Sequence, residues 1–310
     1  MRLPLLPQAS LALVALLGAL PGCASLNHKP PRDPSIELRA AAPHTAASIA
    51  PGVLRLVTYN VHGISGPSIA RALRGDPTLR NADLVLLQEV ASHGACSAAC
   101  AAAEELGFSS VFAPGHQQDG GTSGVAILSR WPLGEPEIIE LPYRYAVVNS
   151  ARRIALAATL DTERGPARVI SVHLENRINP AARVSQLAPA LAHAQRFPGA
   201  VLLGGDMNTS PFLWLGHLVP IPAGLQTRRL DAAARAAGLQ TPVAEVAATS
   251  QWLDMRLDAV YTRGVRARAH GVAITVRASD HLPLWLDVEV ESAPSIGSAG
   301  PAGDAAPPAR

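Results

Sequence analysis

Lysine is almost missing from this chain: Lys29 is the only one among 310 residues, and the remaining cationic side chains are arginines. No Lys/Arg cluster marks a face, and the formal net charge is +2. A tight duplex-binding surface is therefore not expected, although this does not exclude a nuclease. Aromatic residues make up 4%, so the stacking platform of a single-strand binder is lacking as well. Cysteine occurs three times, and without a second cysteine pair beside Cys96 and Cys100 a four-ligand zinc site is disfavoured. The longest apolar run, Leu11 to Leu20, is too short to span a bilayer as a permanent helix. No internal repeat is found. What is abundant is apolar residue, 48% of the chain, which excludes disorder of the whole and suits one large domain or two small ones.

The short apolar run follows Arg2 and ends in small residues before Cys23, the layout of a cleaved export signal. Leu20-Pro21-Gly22-Cys23 resembles a bacterial lipobox, which implies removal of residues 1–22 and lipidation of Cys23. Ala24 in place of Asp resembles the pattern that directs lipoproteins to the outer membrane. The expected location is extracytoplasmic, on a lipid anchor, with a periplasmic or secreted protein as the alternative. Residues 23–51 mix Pro, Ala and polar residues and read as a flexible tether, and 292–310 as a disordered tail. The folded domain is expected over 52–291. In an oxidising compartment Cys96 and Cys100 are expected to pair, but an i,i+4 pair bridges poorly in a regular helix and requires irregular backbone.

Within the domain, β-rich runs recur at 53–59, 83–90, 123–129, 152–160, 167–174, 200–206, 257–262 and 282–290. Helical spacing appears over 180–195 and over 228–239, where Gly238 is a natural stop. Several strands lie too close in sequence for crossover helices, so the reading is mixed β-sheet with strands packed on strands and helices outside.

Polar residues sit where these runs begin or stop. Asn60 follows VLRLVTY, Glu89 closes DLVLLQ, His173 ends RVISV, Asp206 and Asn208 follow AVLLGG, Asp258 opens AVY, and Asp280-His281 precedes LPLWLDV. Singly, each has an ordinary structural explanation; together they suit hydrolysis of a phosphoester. A hard divalent cation takes carboxylate and amide oxygens, a histidine oriented by a carboxylate moves protons near neutral pH, and further amides or imidazoles donate to phosphoryl oxygens.

The ordered motifs TYNVHG (58–63), LLQEV (86–90), SGVAILSRWPL (123–133), SVHLEN (171–176), GGDMN (204–208), LDAVY (257–261) and SDHLPL (279–284) resemble the endonuclease/exonuclease/phosphatase superfamily over roughly Val53 to Val290. The resemblance implies a four-layer α/β sandwich of two mixed sheets with helices on both outer faces, and a site at one end of the sheets. It implies Glu89 as the principal metal ligand with Asn60 beside it and Asp280 as a further ligand. Asp206 and Asn208 would orient the attacking water and the phosphate, with Gly204 and Gly205 letting backbone pass close to it. His281 would be general base or proton carrier with Asp258 orienting its ring, and His173 would stabilise phosphoryl oxygens or assist the leaving group. Of Arg152 and Arg153, either fits the family's phosphate-contacting arginine, and Arg153 is taken as the substrate-binding one. His62 reads as a neighbour of the metal ligands, and SRWPL as an edge strand and turn. The implied cofactor is Mg²⁺, with Mn²⁺ or Ca²⁺ as alternatives.

The ester itself is open: nucleic acid, phospholipid or a small phosphoester. A phosphodiesterase or nuclease is the first reading. A sphingomyelinase-type phosphodiesterase or inositol-type phosphatase is the second, and a catalytically inactive binding lipoprotein is the third. The apolar stretch at 211–226, with Trp214, reads as a helix and loop packed on the sandwich or as a contact for lipid. No obligate protein partner is evident, and a monomer is expected.

Overall fold

Alternation along β2 (Leu54–Asn60) explains why its residues are nearly all apolar: Leu54 and Leu56 face one hydrophobic layer, Val57 and Tyr59 another. A strand covered on both faces reads as a continuous apolar run. The computed structural model describes residues 30–41, 52–144, 150–210, 221–252 and 254–291. The expected signal segment with Cys23, the C-terminal tail and most of the 211–226 stretch lie outside them.

The remaining elements are β1 (Glu37–Arg39), α1 (Gly66–Gly75), β3 (Leu84–Ser92), α2 (Ala98–Leu106), β4 (Ser109–Gln118), β5 (Gly121–Ser129), β6 (Leu133–Glu140), β7 (Ile154–Thr162), β8 (Gly165–His173), α3 (Pro180–Arg196), β9 (Ala200–Asp206), α4 (Ala223–Ala236), β10 (Asp258–Arg263), β11 (Val265–Val272) and β12 (Leu284–Val290). They form a seven-stranded sheet, β1-β4-β5-β3-β2-β12-β11, and a five-stranded sheet, β10-β9-β8-β7-β6. Both are mixed, as expected, and each has one parallel pair: β2 with β3, and β8 with β9. The connections within those pairs carry α1 and α3, the crossover that parallel neighbours require. Pro180 opens α3 behind Asn179, whose side chain accepts from Ala182 N at 2.9 Å.

Three apolar layers hold the sandwich. Leu56, Leu86, Ile127, Leu156, Val169, Leu202 and Leu286 pack between the sheets. Val57, Val85 and Leu87 meet Ile69, Leu73 and Ala102 of α1 and α2. Ile170, Val172 and Leu203 meet Leu187 and Ala190 of α3 and Leu230 of α4. Among the described residues no helix is long and apolar enough to cross a membrane.

The topology assembles the site. β2, β3, β8 and β9 belong to the two parallel pairs and carry Asn60, Glu89, His173 and Asp206 at or near their C-terminal ends, where open α/β sheets bind ligands. β10 and β12 run antiparallel to β9 and β2, so Asp258 faces Asp206 across the ladder, and Leu284 faces Thr58 just after Asp280-His281.

Residues 37–39, inside the stretch read as tether, form β1 and pair with Ser110–Phe112 of β4. Glu37 accepts from the backbone and hydroxyl of Ser97, both at 3.1 Å. β4 and β11 were not legible as strands: β4 contains Pro114 and Gly115 at a register shift, and β11 is an edge strand with Arg266, Arg268 and His270 exposed. SRWPL, expected to be an edge strand and turn, forms the end of the interior strand β5, the turn after it and the first residue of β6, which is an edge of the five-stranded sheet and was not legible as a strand.

Candidate active site

Glu89 departs from the strand that carries it. Its φ is +54°, and the register between β3 and β5 shifts between Gln88 and Val90. This bulge turns the carboxylate out of the ladder and toward an open cavity of about 910 Å³. His62 (φ +45°) and Asn208 (φ +51°) are also in the left-handed region. Such backbone persists in non-glycine residues where its surroundings enforce it, and it concentrates at functional sites.

Asn60 joins the two sheets. Buried at 1% exposure, its amide donates to Glu89 Oε1 and to Asp206 Oδ2, both at 3.0 Å, and its Oδ1 accepts from His62 N at 3.0 Å. Burial pushes the Glu89 carboxyl up, but hydrogen bonds from His62 and Asn60 and the charge of Arg153 outweigh it and hold it well below the usual carboxylate range. Glu89 is thus an anion at neutral pH.

On the other sheet, Asp206 is buried and accepts from Asn208 N at 2.8 Å and from the Asn208 amide at 3.1 Å. Burial, with Asp258 adding to it against His281, raises its carboxyl to about 7. His281 Nδ1 lies 2.9 Å from Asp258 Oδ2, and Nε2 lies 3.7 Å from Asp206 Oδ2. Burial alone would depress this imidazole, but Asp258 and Asp206 overcome it and raise it to about 10. His281 is therefore an imidazolium at neutral pH.

His173 stands between the two carboxylates, Nε2 at 3.5 Å from Asp206 and 3.7 Å from Glu89. Burial and the neighbouring Arg153 push it well below its ordinary value, so it is neutral. Arg153 Nη1 is 2.9 Å from His173 Nδ1, whereas Arg152 is tied to Glu140 and the Pro114 and Gly115 carbonyls. Arg153 is the one at the cavity. Sequence reasoning missed its anchor: fully buried Glu175 meets Nε and Nη2 at 3.3 Å each. An acid two residues after His173, inside the motif SVHLEN, was the available signal. Also missed was His116, which lines the cavity.

One expectation needs correction. A Cβ at Gly205, where φ is +153°, would lie 1.8 Å from the Val172 carbonyl, and one at Gly204 would press on Leu86 and Val260. These glycines fit strand to strand and sheet to sheet; they do not admit a phosphate.

The donors suit a divalent cation: Glu89 presents an ionised carboxylate, with Asn60 in contact, and oxygen ligands of this kind are those Mg²⁺ takes. Asp280 is arranged differently, with the His62 ring between: His62 Nδ1 is 3.2 Å from Glu89 and 3.8 Å from Asp280. Ligating atoms of Glu89, His173 and Asp206 fall within 4.8 Å of one another, as do those of Asp206, Asp258 and His281. Cys96 and Cys100 are joined, Cα–Cα 5.4 Å. They flank Ser97, the extended N-cap of α2, which supplies the irregular backbone such a pair requires.

Residues 57–281 match the family model described as "Endonuclease/Exonuclease/phosphatase family". The chain belongs to this family. Family members are phosphoester hydrolases that typically use divalent metals. Among solved structures, an endonuclease/exonuclease/phosphatase from Beutenbergia cavernae is similar at 22% identity and TM-score 0.61, over 77% of this chain and 72% of that one. ANGEL2, a 2',3'-cyclic phosphatase, is similar at 15% identity and TM-score 0.55, over 77% and 95%. A family member from Bacteroides thetaiotaomicron is similar at 17% and 0.55, over 77% and 98%. At these identities the likeness is one of fold. No curated protein matches the sequence.

Proposed function

We propose that the protein is a divalent-metal-dependent phosphodiesterase of the nuclease type, acting outside the cytoplasm from a lipid anchor at Cys23. The observation that carries the hydrolase reading is the convergence of two sheets on one polar cluster, in which Asn60 links Glu89 to Asp206 and Asp206 faces the Asp258–His281 pair.

Glu89 and Asn60, with Asp280 beyond His62, would hold the cation, which supplies charge stabilisation to the phosphoryl oxygens when bound. Asp206 orients the attacking water and takes its proton, since a carboxyl raised to about 7 is matched to a base working near neutrality. Asn208 fixes Asp206 through two hydrogen bonds and, through its amide at 2.9 Å from the Leu174 carbonyl, fixes the turn after β9. His281, already protonated, favours the proton-carrier role over that of base. Asp258 holds its ring. Arg153 and neutral His173 face the phosphoryl oxygens and donate to them. The joined cysteines support an oxidising compartment.

The test is hydrolysis of plasmid DNA, RNA, phospholipids, inositol phosphates and bis(p-nitrophenyl) phosphate, with Mg²⁺ and with chelator. Chelator-sensitive cleavage that drops about 10²–10⁴-fold in Asp206→Asn supports the reading. Turnover indifferent to chelator or to that substitution overturns it.

A further inference from the structure

His116 stands in the wall of the active-site cavity, yet none of the roles above uses it. Strand β4 pairs regularly with β5 up to Pro114–Gly124 and resumes at His116–Ser123, so Gly115 is an extra residue. Its imidazole lines both the main cavity, with Glu89, Ser123 and Arg153, and a small recess that reaches His173. The groups around it are Arg153, Glu89, Glu175, His173 and Gln118. Burial and the charge of Arg153 push the ring down to about 4, with Gln118 acting weakly the other way, so it is neutral. A neutral imidazole offers one donor and one acceptor. No described cluster of metal-ligating atoms includes it.

The cavity beyond Arg153 has a definite chemistry. It runs to Arg32, Gln118, Asp119, Asn176 and Arg177, and among the described residues no Phe, Tyr or Trp lines it. Small-molecule pockets are ordinarily apolar and aromatic with a few polar groups; this wall is the reverse. Its charges are of both signs, so it suits a hydrogen-bonding group better than an acyl chain or a stacked base. Arg153 and His173 place the phosphoryl group at the inner end of this wall, and His116 adjoins both.

We propose that His116 is a further substrate-contacting residue, which hydrogen-bonds the alcohol half of the phosphoester and favours polar, hydroxyl-bearing alcohols over aromatic ones. The inference rests on the phosphoester reading above. The measurement compares kcat/KM for glycerophosphocholine and for bis(p-nitrophenyl) phosphate in the full chain with metal, for wild type, His116→Ala and His116→Gln. His116→Ala lowers the preference for the glycerol ester about tenfold, the order of one hydrogen bond, mainly through KM, and His116→Gln recovers most of it. A purely structural defect would lower both substrates together and would not be rescued by Gln. If wild type turns over either ester and the ratio is the same in His116→Ala, the inference fails and the hydrolase reading stands. If wild type turns over neither, the His116 ring resonances, assigned by their loss in His116→Gln, are followed during titration with glycerol 3-phosphate. A shift keeps the contact and removes the hydrolase reading; no shift removes both.

Discussion

In the Arg153–Glu175 pair, the arginine proposed to face the phosphoryl oxygens is also a buried structural cation. Glu175 is fully buried, and Arg153, one-tenth exposed on its side chain, is its cationic partner. Removing one member of a buried pair leaves an uncompensated charge at about 3–5 kcal/mol. Arg153→Met is expected to lower unfolding stability by that order in urea melts, whereas the Arg153→Met/Glu175→Met double variant recovers much of it while remaining inactive. Equal stability loss in both would show that the ion pair is not what holds this corner. His281 gives a pH dependence. Its folded pKa is raised from 6.5 to about 10, so protonation favours the fold; the contribution is fully present below about 6.5 and lost as pH rises through 10. In chelator-treated protein the stability gap between wild type and His281→Gln is expected to narrow over that interval. A gap that widens with pH would contradict the charge state assigned to the ring.

At the scale of elements, the strands whose two faces are both covered were legible, because β2, β3, β8 and β9 read as predominantly apolar runs. The polar residues at or just beyond their ends were legible for the same reason: Glu89 and Asp206 interrupt a pattern that has no use for charge. What escaped was set by pairing across long stretches of chain. The three residues of β1 carry no pattern of their own and are fixed by β4 and by Glu37. His116 enters the cavity only through a bulge in a strand broken by Pro114. The choice between Arg152 and Arg153 depended on Glu140 and Glu175, which no local spacing reveals. The joined cysteines close the loop that holds β1, since Ser97 donates to Glu37 and Arg39 donates to the Ala95 carbonyl at 2.9 Å. For so short a loop the chain-entropy relation gives about 2 kcal/mol. The Cys96→Ser/Cys100→Ser variant is expected to lose that order of stability and to show faster amide exchange at 37–39 than across β2. Unchanged exchange in β1 would mean that the ladder alone retains it.

For the molecule as a whole, the position of the cavity relative to the N-terminus limits what it can reach. Pro31, Arg32 and Asp33 line its wall, so the mouth of the cavity adjoins residues that lie eight to ten positions after Cys23. Fully extended, the stretch 24–31 spans at most about 28 Å. If Cys23 carries lipid, that limit keeps the mouth within about one bilayer thickness of the surface, and an ester displayed on the same membrane stays in reach while the enzyme cannot move far from it. Cys23→Ser is expected to move the protein from the membrane to the soluble fraction and to leave turnover of a soluble diester unchanged, because the proposed chemistry draws on Glu89, Asp206 and their neighbours at the strand ends. Insertion of about twenty Gly/Ser residues after Ala24 tests the geometry separately. With the mean end-to-end distance of such a linker near 25 Å, the mouth is released from the surface, and turnover of a vesicle-displayed ester should fall relative to that of the soluble one. A Cys23→Ser protein that still sediments with membranes would remove the anchor, and an insertion without effect on the ratio would show that the short spacer does not direct the enzyme to membrane-bound esters.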